Sequence, residues 1–230
     1  MELINNPNPF GDFETLKAVR KKLLVNQQVL EITDFGAGSK KLNSNKRSVK
    51  QIAKHGIAQQ KQAEFLYRLL NKIDPKTVIE LGTSIGLTTL YLAKAAPKAN
   101  IYTIEGCNSL HLFSKELFRQ HQAKNITPIN GNFNIELPKL LDKLDVLDIL
   151  YIDGNHAYEP TMNYFRMALQ KKHANSVFIF DDIDWSDDMQ KAWKEICAHP
   201  DVTVSLDLFF FGIVFFRIEQ KQKEHFVLRF

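Results

Sequence analysis

Acidic and amide side chains recur at the ends of apolar runs in this chain, and their order sets the chemistry they could do. The segment VIELGTSIGLTTLYLA (residues 78–93) passes from an apolar run holding Glu80 through Gly82 and Gly86 into an apolar-periodic stretch. A buried strand feeding a tight turn and a helix N-terminus reads this way. Such a turn, which here includes Thr83 and Ser84, brings bare backbone N–H groups close to a ligand. Glu105 ends the next apolar run, 25 residues after Glu80, where a carboxylate can accept both hydroxyls of a ribose. Asn132 and Phe133 follow the third run and suit the edge and face of an adenine. Asp153 ends the fourth run, inside LYIDGNHAYE (150–159), and Asp181-Asp182 end the fifth. An ordinary core would not need five polar strand ends.

The pattern also selects among ligands. A dinucleotide would call for GxGxxG, with its third glycine packing tightly beside the pyrophosphate. Here the spacing is Gly82-x-x-x-Gly86, led by Glu80. A carboxylate in that place repels a diphosphate and suits a cationic amino-acid end. The implied ligand is a nucleoside joined to an amino acid without phosphates. His156, three residues past Asp153, could as a neutral imidazole take a proton from a substrate hydroxyl near pH 7. Asp153, Asp181 and Asp182 would repel one another at one sheet edge unless a cation or protons compensate.

The elements that must position these residues follow from periodicity. Apolar runs predict strands over Thr77–Leu81, Ile101–Glu105, Ile126–Asn130, Leu147–Asp153 and Ser176–Asp181. Helical spacing predicts helices over Leu87–Ala96, Ser109–Gln122, Phe133–Leu144, Pro160–Lys171 and Trp185–Cys197. This alternation means right-handed crossovers and a parallel sheet with helices on both faces. Val202–Asp207 and Gly212–Ile218 are too close together for a crossover helix and must pair as an antiparallel hairpin. His225–Phe230 alternates and could extend the edge. Upstream, Phe13–Leu30 and residues 47–72 have helical spacing, the second ending before Asp74-Pro75. The Gly/Ser/Asn/Lys-rich stretch 34–45 reads as a mobile loop. The expected division is an N-terminal helical cap and loop, 1–56, and an α/β domain, 57–230. Within the cap, residues 31–48 are a candidate lid over the ligand mouth.

Across residues 57–218 the pattern resembles the class I S-adenosylmethionine-dependent methyltransferases. ELGTSIG (80–86) stands as the first motif, Glu105 as the ribose-binding acid, Asn132-Phe133 as the adenine contact and IDGNH (152–156) as the fourth motif. The resemblance implies a Rossmann-like α/β fold with a seven-stranded sheet, mostly parallel, closed by a reversed strand of the C-terminal hairpin. It implies that Glu80 and Gly82 line the methionine end of S-adenosylmethionine and that Asp153 lies near the transferred methyl. Within the family the pattern is nearest to small-molecule O-methyltransferases of the catechol type. Those enzymes hold Mg²⁺ with an Asp after strand four and an Asp-Asn pair after strand five. Asp153, Asp181 and Asp182 occupy the matching places, with an acid where the family has an amide. His156 stands where that group places a lysine base. The expectation is O-methylation of a small hydroxylated acceptor, with a divalent cation left open. The alternative is a binding module that keeps the nucleoside site without catalysis.

Composition narrows the remaining classes. A net charge of +4 with scattered Lys and Arg gives little support to a nucleic-acid partner, and IDGNH is not the Pro-Pro-aromatic motif of nucleic-acid N-methyltransferases. No apolar run is long enough to span a membrane, since LFFFGIVFF (208–216) is short and broken by Gly212. The N-terminus MELINNPNPF lacks a basic-then-apolar leader. Two cysteines without a CxxC pair suit a reducing cytoplasm. A homodimer is left open. VLEITDFGAGS (29–39) imitates an acid-glycine nucleotide loop, but no useful strand precedes Asp34 and no ribose acid follows it. Asp181, Asp182 and Asp184 compete as N-caps for the helix near Trp185. Trp185 itself is expected to pack, with an acceptor-pocket wall as its other reading.

Overall fold

The computed structural model describes residues 13–33 and 45–228. Most of the predicted lid at 31–48, and of the loop at 34–45, lies outside the described residues.

The chain begins with α1 (Phe13–Val25), the short strands β1 (Val29–Glu31) and β2 (Lys46–Ser48), then α2 (Val49–His55) and α3 (Gln60–Ile73). The helix predicted to reach Leu30 stops earlier because Asn26 turns the chain. Its Oδ1 accepts the Gln28 N–H at 2.8 Å, the local bond by which Asn competes with helix. β1 then pairs antiparallel with β2, Leu30 opposite Arg47. The helical stretch predicted over 47–72 is two helices. Ser48 and Gln51 cap α2 reciprocally, Gly56 ends it, and Gln59 with Gln62 restarts the chain as α3.

From Thr77 the expected alternation appears: β3 (Thr77–Leu81), α4 (Leu87–Ala95), β4 (Asn100–Glu105), α5 (Asn108–Gln120), β5 (Ile126–Asn130), α6 (Phe133–Leu141), β6 (Ile149–Ile152), α7 (Tyr158–Leu169), β7 (Val177–Asp181) and α8 (Asp187–Ala198). β8 (Val204–Asp207) and β9 (Phe211–Phe215) form the antiparallel hairpin, and β10 (Glu224–Val227) adds a parallel edge beside β8. The sheet order is β10-β8-β9-β7-β6-β3-β4-β5, and β9 alone runs against its neighbours. The seven expected strands are thus present, with β10 as an eighth.

Strand alternation divides the core. Val78, Ile101, Ile149 and Val177 face a cluster that includes residues of α1 to α5. Ile79, Leu81, Leu150, Ile152, Phe178 and Phe180 face α6, α7 and α8. Both faces are therefore dry, as a parallel sheet requires. Chain order reverses between β3 and β6, which lie side by side. That switch point opens a crevice at the carboxyl ends of the strands, where open α/β sheets bind ligands.

Candidate functional site

Gly82 stands at the switch point, and its geometry leaves room for no other residue. A Cβ there would sit 1.8 Å from the Asp153 carbonyl oxygen, and φ is +105°. The Gly82 N–H donates to Ile104 O at 3.0 Å and the Asp153 N–H to Leu81 O at 2.8 Å. The loops after β3 and β6 are thus pressed together by backbone bonds. Gly86, also left-handed at φ +83°, opens α4 as its N-cap.

A cavity of about 230 Å³ lies above this junction. Of the residues predicted to bind cofactor, Gly82, Ser84, Glu105, Asn132, Phe133 and Asp153 line it. Glu105 accepts the Ser84 N–H at 2.8 Å on one oxygen and the Cys107 N–H at 2.9 Å on the other. Burial pushes its pKa up, and these backbone bonds oppose the shift. Asn132 uses its side-chain oxygen to cap α6 through the Asn134 N–H. The Phe133 ring meets Tyr164 edge-on, centroids 5.8 Å apart, and Asn155 Nδ2 donates to Tyr164 Oη at 3.2 Å.

Glu80, Thr83 and Gly86 do not line the cavity. Glu80 is fully buried one layer below. It lies in register with Thr103 on β4 and Tyr151 on β6, so the three share one sheet face. Thr89 and Thr103 donate to Glu80 Oε2 at 2.5 and 2.6 Å, while Oε1 has no partner among the described residues. Desolvation raises the Glu80 pKa from 4.5 to about 8, against the pull of those hydroxyls. The Thr83 hydroxyl shares a 2.5 Å bond with Thr103.

Beside the cavity, the ends of β6 and β7 bring Asp153, His156, Asp181 and Asp182 together. His156 Nε2 is 3.8 Å from Asp153 Oδ1 and 3.8 Å from Asp182 Oδ2. Tyr151 Oη donates to Asp181 Oδ2 at 2.8 Å and approaches Asp153 Oδ2 at 3.2 Å. The Asp182 N–H donates to Asp181 Oδ1 at 2.9 Å. Desolvation raises the pKa of Asp181 and of Asp153. For Asp181 the neighbouring charge of Asp153 adds to the rise. For Asp153 the next influence is His156, which opposes it.

The three acids predicted to hold a metal thus meet at one sheet edge, with one donor on each Asp181 oxygen and the imidazole between Asp153 and Asp182. Among the described residues, no group of three or more His, Cys, Asp or Glu side chains is placed to hold a metal ion.

Four of the six non-glycine residues with positive φ among the described residues lie at this rim of the sheet. Ser84, Asn155, Asp182 and Phe209 have φ between +50° and +67°, and all four follow the carboxyl ends of strands. Non-glycine residues held in this region often mark functional loops. Ser186 caps α8, its side chain accepting the Met189 N–H, so the acids before it are free of that duty. Trp185 is 71% exposed, which removes core packing as its role.

Sequence reasoning passed over Tyr151 and Arg47. Tyr151 sits two residues before Asp153, hidden in an apolar run, and the two-residue period of a strand points it to the same face. Arg47 lies in a stretch whose helical spacing concealed a three-residue strand.

Comparisons with known proteins find the same fold among methyltransferases. Residues 79–183 match the methyltransferase-domain family. A catechol O-methyltransferase of Niastella koreensis is 26% identical over 125 residues, 53% of this chain and 56% of that protein. The match thus spans little more than half of that relative's length. An O-methyltransferase from Bacillus cereus solved with SAH superposes with a TM-score of 0.59 at 17% identity, covering 70% of this chain and 83% of the other. An SAH-bound Podospora anserina methyltransferase reaches 0.63 at 16% identity over 93% and 99% of the two chains. The resemblance to class I methyltransferases read from the motifs therefore holds. Among the described residues no helix is long and apolar enough to cross a membrane.

Proposed function

We propose that this chain binds S-adenosylmethionine in the crevice and methylates a hydroxyl of a small acceptor. The observation that carries the reading is the meeting of the Gly82 turn, Glu105 and Asp153 at the switch point of the sheet. Each Glu105 oxygen has a lone pair left beyond its backbone bond, enough to accept two ribose hydroxyls. Phe133 offers an apolar face for adenine. When bound, S-adenosylmethionine supplies an electrophilic methyl on sulfur.

The chain's own groups then prepare the acceptor. His156 Nε2 takes the hydroxyl proton, and Asp153 and Asp182, each 3.8 Å away, stabilise the imidazolium. Positioning supplies much of the acceleration. The three acids would have to rearrange around Tyr151 to cage a divalent cation, so no step here depends on one. Arg47 of β2, with Ile32 and Thr33 just past β1, forms one wall of the cavity.

The test is calorimetry with S-adenosylhomocysteine, followed by methyl transfer to catechol with EDTA or with Mg²⁺. Micromolar binding supports the cofactor assignment; folded protein that ignores millimolar ligand ends it. His156→Gln is expected to leave S-adenosylhomocysteine affinity unchanged and to lower turnover by about 10²–10⁴.

A further inference from the structure

We propose that Arg47 recognises a carboxylate of the ligand bound in the crevice. The inference rests on the S-adenosylmethionine reading and adds to it a binding residue from outside the α/β core.

The placement begins with the β1–β2 ribbon. Along β1 the burial alternates exposed, buried, exposed, so Leu30 faces inward. Arg47 is its register partner on β2, and cross-strand partners share a face. The ribbon is held over the cavity by Cys107, whose Sγ accepts the Thr33 N–H at 3.4 Å and donates to Glu31 O at 3.6 Å. Arg47 therefore forms part of the cavity wall, with Ile32 and Thr33.

A guanidinium brought inward normally has an acid to meet. The acids on the same wall are Glu105 and Asp153. Neither pairs with Arg47: Glu105 accepts two backbone N–H groups, and Asp153 faces Tyr151 and His156. Arg47 Nε is buried and has no hydrogen-bond partner among the described residues. A buried donor without an acceptor is destabilising, and a planar fork of donors matches a carboxylate better than any neutral group. Among the described residues lining the cavity, Arg47 alone is basic. A ligand with an amino-acid end, or a carboxylated acceptor, would supply the missing acceptor atoms.

The experiment compares ligands that differ only in the carboxylate. S-adenosylhomocysteine and its decarboxylated analogue, which keeps the amine, are titrated into wild-type protein and Arg47→Gln. The loaded proteins are then titrated with 3,4-dihydroxybenzoate and with catechol. Wild type is expected to prefer one carboxylated ligand over its partner by about ten- to a hundredfold, the range of a charge-assisted bond. That preference should vanish in Arg47→Gln and partly return in Arg47→Lys. Loss in the first pair assigns the carboxylate to the cofactor; loss in the second assigns it to the acceptor. A wild type without either preference, or a glutamine variant that keeps both, overturns the inference. Should Arg47→Gln fail to fold by its thermal transition, Arg47→Lys and the wild-type preferences decide. Wild-type protein that binds no S-adenosylhomocysteine defeats the cofactor reading itself.

Discussion

The two halves of the site are held by different forces. On the β3–β4 side the Gly82 turn and Glu105 are fixed by backbone groups: Gly82 N–H to Ile104 O, Ser84 and Cys107 N–H to Glu105, and a glycine against the Asp153 carbonyl. On the β6–β7 side, Asp153, Asp181, Asp182 and His156 are held mostly by side chains, with Tyr151 donating between two acids and one backbone bond, from the Asp182 N–H to Asp181. Backbone bonds keep one geometry whatever the ligand. Side-chain clusters of like charge can shift protons and partners, which suits the end of the site where a reaction occurs. On the proposed function, these are a rigid cofactor half and an adjustable acceptor half.

The strongest way to break this contrast is Gly82→Ala. The added methyl would overlap the Asp153 carbonyl at 1.8 Å, and its φ of +105° disfavours any L side chain. Backbone on both sides cannot yield cheaply, so a loss of several kcal/mol is expected. Chemical denaturation would show it, with S-adenosylhomocysteine binding lost as well. A variant of wild-type stability would mean that the β3–β6 junction is as pliable as the acid cluster.

A smaller effect sharpens the contrast through pH. Glu80 has a pKa near 8 in the folded chain, mainly through desolvation, against 4.5 for an ordinary Glu. Between those values the folded state holds a proton that the unfolded state has lost. Stability is therefore full below about 4.5 and falls as pH rises toward about 8, by on the order of a few kcal/mol in all. Glu80→Gln should flatten that fall and gain on wild type as pH rises. Parallel slopes for the two proteins in denaturation between pH 5 and 8 would show that Glu80 is ionised throughout.

The central strands were legible in the sequence because their apolar runs are bounded by polar ends and buried on both faces. The same rule located Gly82, Glu105 and Asp153 at one crevice. Three kinds of information were not legible. Short elements carry no period, so the ribbon that places Arg47 looked helical. Asn26 ends α1 by one side-chain bond inside an otherwise helical pattern. A carboxylate's position along a strand does not reveal its partner, so the bonds Asp181 accepts from Tyr151 and the Asp182 N–H were not foreseen.

The adjustable half offers the gentlest test, Asp181→Asn. Asparagine keeps an oxygen to accept from Tyr151 Oη and removes one of the acids crowded beside Asp153. Both acids have pKa values raised first by desolvation. Their protons are thus held by the folded chain at pH values where the unfolded chain has released them. The wild-type cluster consequently loses stability as pH rises above the ordinary carboxylate range. Asp181→Asn should cost little at pH 5 and stabilise by about 1 kcal/mol at pH 8, where a charge has been relieved. It should leave S-adenosylhomocysteine affinity unchanged, because Asp181 does not line the cavity. A large loss of stability at both pH values would mean that Asp181 is fixed as tightly as Glu105, and the two halves of the site would no longer differ in kind.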